Sequence, residues 1–378
     1  MRILQVSSAR AFGGGERHLV DLSRSLAERG HEVFAAIEPD SPLREPLLDA
    51  LPPKNVCELS LRKLSDARGS LKLSRFAHSN KIDIVHAHVA RDYAPALCAS
   101  RTNRERDPRL IITRHVLFPL GRFNRLVLSR AARVIAVSDA VARSLRAQGG
   151  FDHEKIRVVA NGVDLRRFER ARSEFEREEA ERETTRRPLR VGIVGELSEV
   201  KNQEGFARAA ALLAEEFGVS VEFLIVGDEA ARAGVYGARL ERLIAELRLT
   251  KSVRLVGRCE DVAPLIASLD VLVSASRSEA FGMVLVEAAA CGVPVVATAT
   301  EGAREIVADG ETGSIVPIDD VSALASAVAA LLRDEKLRHT LGARAREVAR
   351  ARFSLERMVT ETERVYAEAL GVEASASS

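Results

Sequence analysis

Short apolar runs alternate with amphipathic stretches along the first part of the chain. The stretch at residues 16–29 has apolar positions at helical spacing and is followed by Gly30, which is typical of a helix and its C-terminal cap. Because strands and helices alternate in this way, the pattern predicts a parallel sheet built from βαβ units. The apolar runs predict strands at residues 3–6, 33–37, 82–86, 110–113 and 134–137.

The same alternation starts again near residue 189. Helical spacing without a strand candidate then follows in the last part of the chain, at residues 321–332, 335–350 and 355–370. The predicted class is therefore α/β, with two Rossmann-like parallel-sheet domains in tandem and C-terminal helices. The apolar runs of the second half predict strands at residues 189–194, 221–226, 253–256, 271–273 and 294–297.

A highly charged segment separates the two halves. Residues 166–187 consist largely of Arg and Glu with few apolar anchors, which is typical of a linker or an exposed helix. The predicted domains are thus residues 1–165 and residues 188–353. Residues 354–378 are predicted to form a C-terminal helix, which can cross back onto the N-terminal domain, and a disordered tail.

Composition indicates how many domains the chain can form and which partners it is suited to. With 378 residues and 46% hydrophobic content, the chain can bury two cores of ordinary size. Its 56 basic and 54 acidic residues give a net charge of +2, which argues against a surface built for nucleic acid. We therefore expect no nucleic-acid partner.

The cysteines and the apolar runs indicate the cellular compartment and whether the chain could cross a membrane. Cys57, Cys98, Cys259 and Cys291 are isolated and have no second cysteine or histidine at metal spacing, so we expect reduced thiols, no disulfide and no zinc. No run of about 18 apolar residues occurs, and residues 1–7 fit a strand better than a signal peptide. These features predict a cytoplasmic protein that at most attaches to a membrane surface.

Two carboxylates flank the entry of a predicted helix in the second half. Glu279 follows the apolar run 270–275, a helix is predicted to begin near Phe281, and Glu287 comes about two turns later. The first amides of that helix and the positive end of its dipole would face a ligand beyond the sheet edge. Carboxylates beside amides suit a polyhydroxylated ligand that carries phosphate. The alternative is one solvated loop glutamate and one on a helix face.

Each half opens with a strand followed by a turn that contains glycine. The first turn has three consecutive glycines, 13–15, and the second has Gly195, with Lys201 beside the next helix. Neither has the spacing of a dinucleotide fingerprint or of a Walker loop. The glycines would allow close approach to a ligand and Lys201 would neutralise a diphosphate, but a plain tight turn and a solvated lysine are the alternatives.

Taken together, these residues resemble the retaining glycosyltransferases of family 4 (glycosyl transferases group 1), which have the GT-B fold. The resemblance spans nearly the whole chain and implies two Rossmann-like domains that face each other across a cleft. Its most specific part is the glutamate pair with the segment that follows it. The matching residues are 14–17, 83–88, 115, 137–139, 161–164, 201–202, 279–287, 292–297 and 305–313.

The resemblance implies that the second domain holds most of a nucleotide-sugar donor, linked to UDP or GDP. Glu287 would accept hydrogen bonds from the ribose, and Glu279 would contact the transferred sugar. Lys201 and the helix amides would stabilise the diphosphate as the anomeric bond breaks. The residues expected to contact the donor are Gly14, Gly15, Gly195, Lys201, Asn202, Arg258, Glu279, Phe281, Gly282, Met283, Val284, Leu285 and Glu287.

The resemblance also implies the reaction and the acceptor side. His115, Glu279 and Lys201 are the catalytic candidates, and in retaining members the leaving phosphate itself helps to deprotonate the acceptor hydroxyl. Such enzymes usually need no metal, and the chain has no Asp-x-Asp triplet, so we expect neither a metal nor a cofactor. The residues expected on the acceptor side are Glu16, Arg17, His88, Arg114, Ser138 and Asn161.

One position departs from the family pattern. Family members typically carry arginine directly after the glycine that corresponds to Gly195, whereas this chain has Glu196. Like-charge repulsion from a diphosphate would favour a Glu196 side chain that turns away. Arg258 or Arg304 would then supply the missing positive charge.

Residues 101–146 hold eleven arginines and three acidic residues, interleaved with the apolar 117–120 and Phe123. Such a surface suits an anionic membrane or a lipid-linked acceptor. Two solvated helices, whose arginines also cover apolar surface, are an equally good explanation.

The predicted function is thus a metal-independent retaining glycosyltransferase that moves a sugar from a nucleotide sugar to a glycan or a lipid-linked acceptor. Two alternatives remain at this point. One is an epimerase or phosphorylase of the GT-B fold, and the other is a degenerate protein that only binds a nucleotide sugar.

Overall fold

The computed structural model describes residues 1–61, 67–101, 107–181, 187–229 and 234–372. These residues divide into two compact units. The first contains the residues up to Gly162 together with the last helix of the chain, and the second runs from Val163 to Ser354. Each unit is built on one parallel sheet with its own apolar core.

The sheet of the first unit has seven strands in the order β3-β2-β1-β4-β5-β6-β7. All of the paired strands run parallel. The chain therefore turns from one half of the sheet to the other between β1 and β4, where ligands bind in doubly wound folds. The strands are β1 (Arg2–Ser7), β2 (Glu32–Ile37), β3 (Val56–Glu58), β4 (Ile84–Ala87), β5 (Arg109–Arg114), β6 (Arg133–Ala136) and β7 (Ile156–Val158).

Helices cover this first sheet because each predicted strand is followed by an amphipathic stretch. The buried side chains of the first and the last helix, such as Leu22 and Tyr366, join the same core. The helices are α1 (Gly14–Glu28), α2 (Arg44–Ala50), α3 (Ala67–Ser79), α4 (Tyr93–Ala99), α5 (Arg122–Arg130), α6 (Asp139–Arg146) and, from the end of the chain, α15 (Leu355–Leu370).

The sheet of the second unit has six parallel strands in the order β10-β9-β8-β11-β12-β13. The corresponding reversal lies between β8 and β11. The strands are β8 (Leu189–Val194), β9 (Val221–Val226), β10 (Val253–Gly257), β11 (Val271–Ser274), β12 (Val295–Thr298) and β13 (Gly313–Val316). The helices are α7 (Leu165–Glu181), α8 (Gln203–Phe217), α9 (Val235–Glu246), α10 (Ala263–Ala267), α11 (Met283–Cys291), α12 (Glu301–Ile306), α13 (Val321–Arg333) and α14 (Glu335–Arg352).

The prediction of two Rossmann-like parallel-sheet domains is confirmed, and every predicted strand is present. Three further strands, β3, β7 and β13, were not predicted. They are only three or four residues long, and each is the outermost strand at one edge of its sheet. Their sequences therefore lack the longer apolar run that is typical of a central strand.

The charged segment between the predicted domains contains helix α7. Phe168 and Ala171 of this helix are buried within the second unit, while most of its charged side chains are exposed. Beyond it, Arg187 donates to Asp270 at 2.6 Å, just before β11. Residues 182–186 of this segment and the predicted tail at 374–378 lie outside the described residues.

No helix among the described residues combines the length and the apolar character needed to cross a bilayer.

Candidate functional site

The turns after β8 and β11 build the candidate site of the second unit. Gly195 follows β8 with φ +152°, and Gly227 follows β9 with φ +134°. A Cβ atom at Gly227 would lie 2.0 Å from the carbonyl oxygen of Gly195, so no side chain fits there. The turn after β8 and the turn after β9 consequently pack directly against each other at the carboxyl edge of the sheet.

Lys201 and Glu279 form the charged centre of this edge. The Lys201 Nζ donates to Glu279 Oε2 at 2.5 Å, although the two residues are 78 positions apart in the sequence. The side chains are 28% and 16% exposed, so the pair is reachable from solvent but only partly screened by it. Both residues were predicted to contact the donor, and the structure joins them in one ion pair.

Asp319 links the turn after β11 to the turn after β8. Its Oδ1 accepts from Arg277 Nε at 2.8 Å and from Asn202 Nδ2 at 3.3 Å. Asn202 also caps α8, because its side chain accepts from the Gly205 amide at 3.1 Å. Asn202 thus positions the helix that follows Lys201.

Helix α11 begins at Met283, two residues later than predicted. The reason is Gly282, whose φ of +103° is left-handed and outside the helical region. Phe281 therefore lies before the helix, where it is buried against Phe353 with ring centroids 5.7 Å apart. The first amides of α11 still mark its positive end, although the Leu285 amide already donates to the Gly282 carbonyl at 3.0 Å. A phosphate at Leu285 would have to replace that bond.

Glu287 lies on α11 and is 6% exposed. Most of the helix around it is buried, whereas Met283 and Val284 at its start are half-buried. A carboxylate with so little exposure is rare unless a polar partner accompanies it, and Glu287 does take part in a polar interaction. This is the burial that a carboxylate needs if it is to bind a ligand hydroxyl away from bulk water.

Glu196 and the two arginines proposed to compensate for it are exposed. The backbone around Glu196 is fixed, since its carbonyl accepts from Gln203 Nε2 at 2.9 Å and the next amide, Leu197, donates to Asp228 at 2.9 Å. Arg258 follows β10 and Arg304 lies on α12. The structure thus leaves these three charges on the surface of the second unit.

The candidate site of the first unit surrounds the start of α1. This helix begins at Gly14 rather than at Glu16 as predicted, because Gly13 serves as its N-cap and Glu16 reaches back to the Gly13 amide at 3.0 Å. Burial raises the pKa of Glu16. The Cβ of a residue at position 15 would lie 3.7 Å from the His115 ring, so the glycine turn lies beside that histidine.

Three histidines converge at this point. The ring centroids of His18 and His115 are 4.9 Å apart, and His88 Nδ1 lies 3.4 Å from His115 Nε2. One ring nitrogen from each residue lies within 4.8 Å of the other two. His18 and His88 are buried and His115 is partly exposed.

Burial keeps these rings neutral. It lowers the pKa of His18 to about 4, which a polar interaction with Asn161 opposes in part, and it lowers the pKa of His88 and of His115 well below the usual value. The nearby rings of the other histidines lower the last two further. At neutral pH, each ring therefore offers a lone pair on one nitrogen.

A buried hydrogen-bond network supports the cluster. Gln5 Oε1 accepts from His88 Nε2 at 2.8 Å, and the Gln5 amide nitrogen lies 3.5 Å from the Tyr366 hydroxyl. His86 uses both of its ring nitrogens, toward the hydroxyls of Tyr366 at 2.7 Å and Thr113 at 2.6 Å. His86 thus has the fully paired environment of a structural histidine.

The other residues predicted on the acceptor side lie in the same unit with different partners. The Ser138 side chain caps α6 by accepting from the Val141 amide at 3.1 Å, and Arg114 donates to the Phe118 carbonyl. Asn161 is buried near His18. Arg17 lies over the Phe12 ring at 5.7 Å.

His18 was missed by the sequence analysis. Its signal was local, since it lies two residues after Glu16 on the face of α1 that carries Leu19 and Leu22 into the core. A polar residue on an apolar helix face next to a glycine turn is the observation that would have identified it.

Models of two glycosyltransferase families match the chain, one for each half. Glycosyltransferase Family 4 matches residues 12–167, and Glycosyl transferases group 1 matches residues 174–348.

Similar proteins extend over nearly the full length. The N-acetyl-alpha-D-glucosaminyl L-malate synthase of Bacillus anthracis is 27% identical, over 95% of each chain. The D-inositol 3-phosphate glycosyltransferase of Geodermatophilus obscurus is 30% identical, over 97% of this chain and 87% of that protein. Among solved structures, the Anabaena HepE protein in complex with UDP-glucose is 25% identical over 96% of this chain and 99% of that one, with a TM-score of 0.81.

Proposed function

Because the chain belongs to the family 4 glycosyltransferases of the GT-B fold, we propose that it transfers a sugar from a UDP-sugar to an acceptor hydroxyl with retention of anomeric configuration. The observation that carries the proposal is the Lys201–Glu279 pair beside the start of α11, with Glu287 buried on that helix. The UDP-glucose complex of the HepE protein supports UDP as the nucleotide.

The charges of the second unit suit a departing diphosphate. Lys201 Nζ donates to Glu279 Oε2 at 2.5 Å. A bound diphosphate offers Lys201 a stronger partner, and the exchange frees the Glu279 carboxylate to accept from a sugar hydroxyl. The first amides of α11 add donors where negative charge develops as the anomeric bond breaks. This arrangement supplies the charge that a metal would otherwise supply, so the proposed reaction is metal-independent and needs no cofactor.

The role proposed for the first unit depends on the one histidine of its cluster that solvent can reach. His115 is the member of the cluster that remains partly exposed, and it lies beside Gly15. We assign it to positioning the sugar and the acceptor hydroxyl, with His88 behind it. In the proposed front-face substitution, the acceptor oxygen bonds to the anomeric carbon as the bond to the diphosphate breaks, and the leaving phosphate takes the acceptor proton. The reaction therefore needs no nucleophile from the protein.

The acceptor is proposed to be a glycan or a lipid-linked molecule. The supporting observation is a group of exposed apolar side chains in and before α5: Phe118 is 69% exposed, Phe123 50% and Leu126 56%. Exposed Arg122 and Arg130 accompany them on the same helix. Aromatic and basic side chains together suit the surface of an anionic membrane. Residues 102–106 of the arginine-rich segment lie outside the described residues.

Isothermal titration with UDP and GDP, followed by assays of donor hydrolysis and transfer in EDTA, tests this function. We expect UDP to bind and UDP-sugars to be consumed in the presence of a lipid-linked acceptor. Binding without hydrolysis or transfer would favour the degenerate binding protein, and a changed free nucleotide sugar would favour the epimerase. Including L-malate and inositol 3-phosphate tests the acceptors named for the relatives.

A further inference from the structure

The histidine cluster of the first unit has the composition of a metal site. His18 comes from α1, His88 from the turn after β4 and His115 from the turn after β5. Three separate elements thus bring one imidazole each to the same point, with the nearest ring nitrogens all within 4.8 Å of one another. Three imidazoles and an open position are the ligand set of many transition-metal sites in proteins.

The spacing within the cluster already approaches that of a bound ion. His88 Nδ1 and His115 Nε2 are 3.4 Å apart. Two nitrogens that each lie at 2.0–2.1 Å from a tetrahedral ion are about 3.3 Å apart. The other two separations, which are at most 4.8 Å, would have to shorten.

The hydrogen bonds around the cluster leave suitable lone pairs. His88 donates from Nε2 to Gln5 Oε1, which fixes its tautomer, so its Nδ1 lone pair accepts from His115 Nε2 at 3.4 Å. A metal ion would replace that hydrogen bond once the His115 proton moves to its Nδ1. An outer hydrogen bond like the one to Gln5 is the usual support of a histidine that binds a metal. Gln5 is in turn next to the Tyr366 hydroxyl, so the support belongs to the rigid core.

His18 provides a second, independent observation that points to a bound metal ion. It is 2% exposed, and neither of its ring nitrogens makes a hydrogen bond of normal geometry with the described residues. Buried polar atoms are nearly always paired with protein or water, and the interaction with Asn161 serves at most one of the two ring nitrogens, so the other needs an explanation. A metal ion accepts the lone pair of an imidazole nitrogen, which an anion cannot do.

We propose that His18, His88 and His115 bind one divalent transition-metal ion of the zinc, cobalt or nickel type, with water in the fourth position. Magnesium and calcium are disfavoured because they prefer oxygen ligands. The ion enters from the partly exposed His115 side. The three ligands of the ion come from the first unit, whereas Lys201, proposed for the donor diphosphate, belongs to the second.

One consequence rests on the proposed function. Since His115 is assigned to the sugar and the acceptor, an ion that occupies its nitrogen removes it from that role. Micromolar zinc is therefore expected to inhibit transfer while leaving UDP binding to Lys201 and Glu287 unchanged. The metal site would thus act as an inhibitory site and not as a catalytic centre.

Cobalt titration of the full chain, stripped with EDTA and dialysed, tests the binding itself without any transfer assay. Co²⁺ bound by three nitrogens and water gives visible absorption bands that aqueous Co²⁺ lacks. We expect one Co²⁺ per chain and displacement by one equivalent of Zn²⁺. The variant His18→Leu is expected to weaken binding by at least about tenfold. The matched control is His339→Leu, an exposed histidine of the second unit, and it is expected to bind as the parent chain does.

Circular dichroism checks that His18→Leu folds, and His115→Ala, at a partly exposed position, replaces it if it does not. Absence of the visible bands would overturn the proposal. So would a folded His18→Leu chain that binds Co²⁺ as tightly as the parent chain, or loss of the bands in His339→Leu. If cobalt binds as expected and zinc does not inhibit transfer, the metal site stands and the role given to His115 in the proposed function is wrong.

Discussion

Replacement of Glu287 by alanine tests the donor site most deeply, because this carboxylate is proposed to hold the ribose. Glu287 is 6% exposed, so solvent screens its hydrogen bonds little. A hydrogen bond to a charged group contributes about 1.5–3 kcal/mol. At 1.4 kcal/mol for each factor of ten, Glu287→Ala should weaken UDP binding by about 10- to 150-fold. Glu287→Gln retains one acceptor oxygen and the side-chain volume, and an intermediate loss is expected.

Isothermal titration with UDP alone is the assay, since the bare nucleotide contains the ribose and lacks the sugar. The matched control is Glu246→Ala, an exposed glutamate on α9 of the same unit, which should bind UDP as the parent does. Thermal unfolding distinguishes lost binding from lost folding, because α11 is largely buried. A folded Glu287→Ala chain with parental UDP affinity would refute the assignment.

Three other outcomes are expected. Glu279→Gln should reduce sugar transfer far more than UDP affinity, because Glu279 is proposed to touch only the sugar; equal losses in both assays would mean that the roles are wrongly divided. Glu196→Arg should strengthen UDP binding by adding a cation, with a gain that shrinks as salt rises; weaker binding, or a gain independent of salt, would place the diphosphate charge elsewhere. The free energy of unfolding, measured with urea, should fall between pH 6.5 and pH 4, because the unfolded chain binds protons on His18 and His86 that the native state, with pKa values of about 4 and 3, does not. Asp92, with a pKa raised to about 6 by burial, acts in the opposite direction, and stability that rises toward pH 4 would mean that the histidines are not buried as described.

The fold was predictable because its main signal is local. Central strands such as β1 and β9 contain short apolar runs, and five of the six residues of each are buried, because parallel sheets bury both faces of such strands. The edge strand β3 has only three residues, of which none is fully buried, so its pairing with β2 is a tertiary effect. The start of α11 was missed by two residues because the left-handed φ of Gly282 cannot be read from residue type alone.

For the candidate site, the sequence proposes members but not the contacts between them. Glycines, a lysine and glutamates at strand ends pointed to Lys201 and Glu279, but their ion pair joins residues from β8 and β11 turns and depends on the order of the strands. His18 was missed for the same reason, since its meaning comes from His88 and His115, which other strands bring to it. The spacing of residues along a sequence does not show which side chains from different strands come into contact.

The most direct test of the central claim is a proton NMR time course of the sugar released or transferred from UDP-glucose, UDP-galactose and UDP-N-acetylglucosamine in the presence of EDTA. The account predicts that at least one of these α-linked donors is consumed and that the first product has the α configuration. A first product with the β configuration would contradict retention. Consumption of none of them by a protein that binds UDP would contradict the enzymatic function itself.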